Sequence, residues 1–339
     1  MHAYLHDAQA HHNPKHFMAS GVIKPNPETP NRVGILKQGA LDAGCNFEPV
    51  QDFGLGPISA IHTPEYLKFL SSIHERWSRI DGNGDEVIPN IHPANRTDSY
   101  PKSVVGQAGY HQADTACPIG AHTWDSAYWS AQTALAGAQH IANGGRLAYS
   151  LCRPPGHHAF GDLAGGFCFL NNSAIAAQSL SQAGKRVAIL DVDVHHGNGT
   201  QGIFYNRSDV LTVSIHAHPE RFYPFYWGYS DERGTDDGLG YNLNLPLDRG
   251  LGDVEFLAAL DIALDRIALF GADVIVVALG LDASIDDPFQ ALKITADGFE
   301  QIAKTIASQH RPTLLVQEGG YVSDMLGTNL TRFLLGSQA

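Results

Sequence analysis

Cysteine is scarce in this chain: Cys45, Cys117, Cys152 and Cys168 are the four among 339 residues, and no two of them form a Cys-x-x-Cys pair. A disulfide framework is therefore excluded, and free, mostly buried thiols in a reducing compartment are expected. Positive charge is also short. Lys and Arg number 22 against 35 Asp and Glu, a net charge of −13, and no run of Lys or Arg is long enough to track a phosphate backbone. Direct nucleic-acid binding is not expected, whereas cationic substrates would be attracted. No stretch approaches ~18 consecutive apolar residues, and the opening segment, with His2, His6, Asp7, His11 and His12, has no apolar signal core. The expectation is a cytoplasmic protein with no membrane contact. Repeats, low-complexity tracts and Pro/Ser linkers are missing too, which favours a single domain over residues 1–339. With 43% hydrophobic and 17% charged residues, such a chain can bury a substantial core.

From residue 147 onward short apolar runs alternate with helical patterns, the signature of a parallel sheet with crossover helices. Strands are expected at 147–151, 187–194, 210–215, 274–279 and 313–316, most of them near-continuous apolar runs as buried parallel strands should be. Helices are expected at 124–141 with Thr123 as cap, at 173–183, at 254–270 ending on Gly271, and at 296–310 capped by Thr295. The segment 75–101 is rich in Gly, Asn, Asp and Pro and reads as a long excursion with an interface role, its Trp77, Ile80, Val87 and Ile88 serving as apolar anchors.

The unusual polar residues stand directly after the expected strands, where ligands bind in open α/β sheets. Asp191, Asp193 and His195 alternate along one strand and so share a face. Two carboxylates and an imidazole in an apolar strand are costly without a cation, so the spacing points to a metal. Asp282, after another strand, can complete a set of two carboxylates and one His. Zinc suits it, and iron(II), cobalt or manganese would too. His157 and His158, pinned behind Pro154, Pro155 and Gly156, suggest acid/base catalysis. Tyr321, after Gly319 and Gly320, could donate its hydroxyl to a developing oxyanion. The His11-His12 pair and the remaining histidines read as surface or rim residues.

The strings RPPGHH (153–158), GGFCFLNN (165–172), AILDVDVHHGNGTQ (188–201), GLDASIDDP (280–288) and VQEGGY (316–321) together resemble the zinc-dependent histone deacetylase and acetylpolyamine amidohydrolase superfamily. The length, the 75–101 excursion and TWDSAYWSAQTAL (123–135) look most like its bacterial acetylpolyamine amidohydrolase branch. The resemblance implies an arginase/deacetylase α/β fold, with a central eight-stranded parallel sheet flanked by helices on both faces. It implies one zinc per chain on Asp193, His195 and Asp282, proton transfer by His157 and His158, and carbonyl polarisation by Tyr321. It separates Asp191 from the ligands, as a carboxylate that orients His157. A structural potassium or sodium ion is implied at Asp191, Asp193, His195, Ser214 and Ile215, and a second at Phe204, Arg207, Val210 and Tyr241.

Asn198 stands where some members pair the second histidine with Asp. Gly166, Phe167 and Tyr223 match the walls of a narrow substrate tunnel, and Arg32 matches an arginine on an interior product path, with a structural salt bridge as its alternative. The implied substrate is a small acylated amine or an acyl-lysine peptide, and the implied assembly is a homodimer. Phe17 and Val105 occupy two places where a polyamine specialist would carry carboxylates. Two rivals remain. A ureohydrolase would need further carboxylates where this chain has Asn198 and Ser284, and a non-catalytic acyl-lysine binding module would be favoured by loss of Tyr321 or a ligand, neither of which is lost.

Overall fold

A computed structural model describes residues 1–93 and 95–339. In chain order the strands are β1 (His2–Tyr4), β2 (His16–Ala19), β3 (Val22–Pro25), β4 (Asn46–Glu48), β5 (Leu147–Ser150), β6 (Val187–Asp191), β7 (Val210–Ala217), β8 (Asn242–Leu247), β9 (Val274–Leu279) and β10 (Thr313–Gln317). Eight of them form one sheet in the order β4-β1-β5-β10-β9-β6-β7-β8, while β2 and β3 make a separate antiparallel hairpin. Every pairing in the large sheet is parallel, for example Asp191 beside Ser214 and Gln317 beside Leu279. The central strands β6, β9 and β10 are buried along their whole length. That is why they read as unbroken apolar runs.

Helices cover both faces. Leu36, Phe256, Leu260, Phe299, Ile302, Leu330 and Phe333, from helices Asn31–Asp42, Asp253–Phe270, Ala296–Ala307 and Leu326–Ser337, pack on one side. Ala134, Ala138, Ile141, Ala174 and Leu180, from helices Thr123–Ala142 and Asn172–Gln182, pack on the other. Each large apolar side chain removed from water contributes roughly 1.5–3 kcal/mol, and these two layers hold the sheet rigid. Local signals set the helix ends: the Thr295 hydroxyl accepts from Gly298 N at 3.0 Å, and Gly271 closes its helix in the left-handed region at φ +71°. Thr123 is the first residue of its helix rather than the cap, and its hydroxyl instead accepts from Gly120 N at 2.9 Å. Among the described residues no helix is long and apolar enough to cross a membrane.

Three expectations are corrected. The strand expected at 187–194 ends at Asp191, because side chains there take over from the ladder: Asp193 N donates to Asp191 Oδ1 at 3.1 Å and His195 N to Asp193 Oδ1 at 2.8 Å. The excursion begins after residue 77, since Glu75, Arg76 and Trp77 finish the helix Pro64–Trp77. Its anchors are largely spent inside the chain, with Trp77 and Val87 buried in a cluster with Phe69, Leu70, Ile73 and Ile119, and Ile80 packed against it. The remaining histidines are not all surface residues: His62, His111, His196 and His216 are buried, and so is His12. It is buried between Thr123, Glu28 and Phe169, and burial drives its pKa down to about 3, beyond what Glu28 restores.

Candidate active site

Four neighbouring strands, β5, β10, β9 and β6, deliver the site from their carboxyl ends. Beyond β5 lie His157 and His158, beyond β10 Tyr321, beyond β9 Asp282, and at or beyond β6 Asp191, Asp193 and His195. Adjacent parallel strands ending at one level bring loops far apart in sequence onto a single point.

Asp193, His195 and Asp282 meet there, each buried, with one potential ligand atom apiece lying mutually within 4.8 Å. His195 Nδ1 is 3.1 Å from Asp193 Oδ1 and 3.2 Å from Asp282 Oδ2. Burial raises the Asp282 pKa, and the neighbouring Asp193 carboxylate raises it further. Two crowded carboxylates and an imidazole, sealed from water, form a donor set that a divalent cation of the zinc type fits and whose repulsion it would relieve. The loops close in tightly around the carboxylates. A Cβ at Gly280 would fall well inside 3.0 Å of the Asp193 carboxylate, and one at Gly319 would do the same to Asp282. Gly319 N also donates to Asp193 Oδ2 at 2.8 Å, and Val194 N to Asp282 Oδ1 at 3.1 Å.

The two histidine rings lie beside this set, 4.0 Å apart between centroids. His157 Nδ1 is 2.9 Å from Asp191 Oδ2. Burial opposes a charge on His157, but Asp191 and Asp193 outweigh it and lift its pKa to about 10. His158 Nδ1 is 2.6 Å from Asn198 Oδ1, a neutral partner. Burial, then the nearby His157 and His195, push His158 well below the ordinary histidine range. The adjacent imidazoles are thus driven in opposite directions, one toward the cation and one toward the free base. Tyr321 is buried and, through burial and the Asp282 charge, held well above its usual pKa, so that its hydroxyl stays a donor.

A cavity of about 550 Å³ leads to this point, lined by Gly166, Phe167, Tyr223, Phe289 and Phe17 along its walls and by His158, His195, Asn198 and Tyr321. The Tyr223 hydroxyl donates to Asp114 Oδ2 at 2.6 Å, which sets a carboxylate in the wall. Val105 lies elsewhere, half-buried against the Trp77 cluster.

Other residues singled out in the sequence fall as follows. Asp191 and Ser214 are register partners on β6 and β7, next to Ile215, Asp193 and His195. Phe204, Arg207, Val210 and Tyr241 gather at the start of β7, where the Phe204 carbonyl accepts from Arg207 N at 2.9 Å and the Tyr241 carbonyl from Thr212 N at 3.0 Å. Arg32 is fully buried, donating from Nε to Gly320 O at 2.6 Å, from Nη1 to Glu28 at 2.5 Å and from Nη2 to Glu318 O at 2.7 Å. Ser284 is hydrogen-bonded to Asn329 Nδ2 at 3.0 Å and adds no carboxylate to the site.

Sequence reasoning gave no role to Glu318, Asp287, Glu28 or Asp114. Glu318 Oε2 accepts from Gly156 N at 2.6 Å and His157 N at 3.0 Å, and Oε1 from the Ser173 hydroxyl at 2.8 Å, so it supports the histidine loop from beneath. Burial pushes its pKa up to about 7 against the pull of His157. Glu318 and Asp287 stand inside VQEGGY and GLDASIDDP, and an acidic residue within a motif that bears a ligand or a catalytic group was the available signal.

Eight parallel strands between two helical layers, with a buried Asp/His/Asp set and paired histidines at the carboxyl edge, define an arginase/deacetylase-type α/β enzyme. The histone deacetylase domain family matches residues 26–336. An acetylpolyamine amidohydrolase of Burkholderia pseudomallei is 45% identical over 334 residues, covering 98% of this chain and 97% of its own length. Another acetylpolyamine amidohydrolase, from Mycoplana ramosa, is 40% identical over 328 residues, covering 96% of each chain. A crystal structure of acetylpolyamine aminohydrolase from Burkholderia pseudomallei superposes with a TM-score of 0.97 at 45% identity, over 100% of this chain and 99% of that one. The chain belongs to the histone deacetylase family and is an amidohydrolase.

Proposed function

We propose that the chain is a zinc-dependent deacetylase that hydrolyses the amide of small acetylated amines, acetylpolyamines foremost, and of acetyl-lysine side chains. The carrying observation is the aromatic-walled cavity that reaches His195, which is clustered with Asp193 and Asp282, and that His158 and Tyr321 also line. Asp193, His195 and Asp282 would hold a zinc ion, which would supply Lewis acidity to the scissile carbonyl and acidify a water molecule.

The chain's own groups do the rest. With the Asn198 oxygen accepting at Nδ1, His158 presents Nε2 as the free base that takes a proton from the attacking water. The Tyr321 hydroxyl donates to the carbonyl oxygen as it becomes negative. His157, held as the cation by Asp191, stabilises that charge, and His158 returns its proton to the departing amine. Phe167, Tyr223 and Phe289 clasp the aliphatic stem and keep bulk water out.

The acetylpolyamine preference is supported by the relatives' activity, by the net charge of −13 and by Asp114 in the wall, an attraction for ammonium groups carried further along the substrate. Phe17 lines the same cavity without offering a charge, so this attraction rests on one side. The same reading includes a cytoplasmic homodimer. The hairpin of β2 and β3, with Val22 and Ile23 mostly exposed, leaves apolar surface next to the cavity entrance for a second copy to cover. The test is a kinetic comparison of acetylputrescine, acetylspermidine and an acetyl-lysine peptide on the zinc-loaded protein. Hydrolysis with the highest kcat/KM for an acetylpolyamine is expected, and turnover of none of the three would end the proposal.

A further inference from the structure

The Gly320–Tyr321 peptide group is gripped at both poles by buried side chains. Its carbonyl accepts from Arg32 Nε at 2.6 Å, and its N–H donates to Asp287 Oδ2 at 3.0 Å. The second oxygen of that carboxylate, Oδ1, accepts from Phe289 N at 2.9 Å. Asp287 is 2% exposed and has no ion-pair partner among the described residues, so its whole engagement is with these backbone donors. A carboxyl group sealed from water with only backbone partners is an expensive way to fill space, and an apolar side chain would fill it at lower cost. The loop needs the acceptor. Beyond Gln317 the chain leaves the sheet, Gly320 turns through φ +109°, and no ladder hydrogen bond remains to orient the peptide that carries Tyr321.

The two donors held by Asp287 belong to residues whose rings meet again in the cavity lining. The Phe289 ring lies 5.1 Å from the Tyr321 ring and 5.1 Å from the His195 ring, edge-on to both. One carboxylate therefore ties the backbone of the tyrosine to the backbone of the aromatic residue that separates it from a metal ligand.

We infer that Asp287 is a positioning residue for Tyr321, clamping the Tyr321 and Phe289 N–H groups so that the phenol points at the oxygen of the scissile carbonyl. This rests on the reading of Tyr321 as oxyanion donor. A hydrogen-bond donor displaced by about 1 Å from its working place loses on the order of 10²-fold in rate. Asp287→Asn keeps the shape but offers one oxygen to two donors and turns an N–H toward the other.

The test is a double-mutant cycle on zinc-loaded protein, with metal content measured for each variant. Tyr321→Phe alone should lose roughly 10²- to 10³-fold in kcat. Asp287→Asn alone should lose roughly 10- to 100-fold in kcat with KM changed less than about threefold and zinc retained. The double variant should fall no more than about threefold below Tyr321→Phe, because the clamp has nothing left to aim. Losses that multiply in the double variant, a normal kcat for Asp287→Asn, or a kcat that merely follows lost zinc would each overturn the inference. Near-normal turnover of Tyr321→Phe would instead remove the reading beneath it. Should Asp287→Asn not fold, an ester in place of the Gly320–Tyr321 amide replaces the N–H with an oxygen that cannot donate. A kcat loss matching that expected for the clamp supports the inference, and full kcat in the ester protein overturns it.

Discussion

Glu28 offers the sharpest test of how the site is held from behind. Its carboxylate, fully buried, lies 2.5 Å from Arg32 Nη1 and 2.8 Å from Arg153 Nη2, both arginines being fully buried as well. Arg32 reaches the Tyr321 loop through Gly320 and Glu318, and Arg153 opens the loop to His157 while donating to the Gln9 and His12 carbonyls at 2.6 Å. One negative charge thus serves two guanidiniums that have no access to water. Glu28→Gln keeps the size and leaves both cations unpaired, a change that costs about 3–5 kcal/mol when one partner of a buried pair is removed. In a chain of 339 residues each kcal/mol shifts the midpoint by only about 1.4 °C, so a fall in Tm of about 4–7 °C is expected.

The acid dependence has a definite sign. Burial works against the Glu28 charge, but Arg153 and Arg32 outweigh it and hold its pKa below the ordinary 4.5. The stabilisation is therefore complete above pH 4.5 and is lost as the pH falls from there through the lower folded value. Urea unfolding followed by circular dichroism, at pH 7 and below pH 4, measures both effects. A loss under about 1 kcal/mol at pH 7 with an unchanged m-value would show that the cluster is held by packing and not by its charges.

Four further outcomes can be checked. Asp193→Ala, His195→Ala and Asp282→Ala should each lose both zinc and activity, and full zinc retention in elemental analysis would remove these residues from the metal site. His158→Ala should lose far more kcat than His157→Ala with zinc kept in both, and reversed losses would overturn His158 as the base while leaving the deacetylase reading intact. The pH profile of kcat/KM should be a bell, falling in acid as the base takes up a proton and in alkali as the imidazolium near pH 10 loses one, with apparent values that belong to the coupled site. Sedimentation at micromolar concentration should show a dimer, and a monomer would dispose of the hairpin interface.

The buried half of the sheet was legible because burial on both faces leaves a plain mark. Strands β6, β9 and β10 could be read from runs such as Val274–Leu279, and the polar residues just beyond them marked the site. By contrast β1 and β4 are three residues each at one side of the sheet, too short for any period to show. Strand alternation placed Asp193 and His195 on one face, yet both sit past the strand end, and they converge because carboxylates replace the missing ladder bonds. His12, Trp77 and Val87 were misread for a shared reason: a polar or irregular neighbourhood in sequence does not reveal which segment packs over it.

The absence of side chains at Gly280 and Gly319 makes the Asp193, His195 and Asp282 cluster a mould rather than a frame. No larger residue fits at either place without pushing the Asp193 or Asp282 carboxylate aside, so the level of the cluster is built into the backbone. Width is another matter. Phe167 and Tyr223 present side chains to the same cavity without closing on the Asp193 and Asp282 carboxylates, whereas Phe289 packs against His195 and Tyr321 and trimming it would loosen both. Divergence or engineering toward longer acyl groups or bulkier amines is therefore channelled into the walls, while the floor stays where two missing methyl groups have put it.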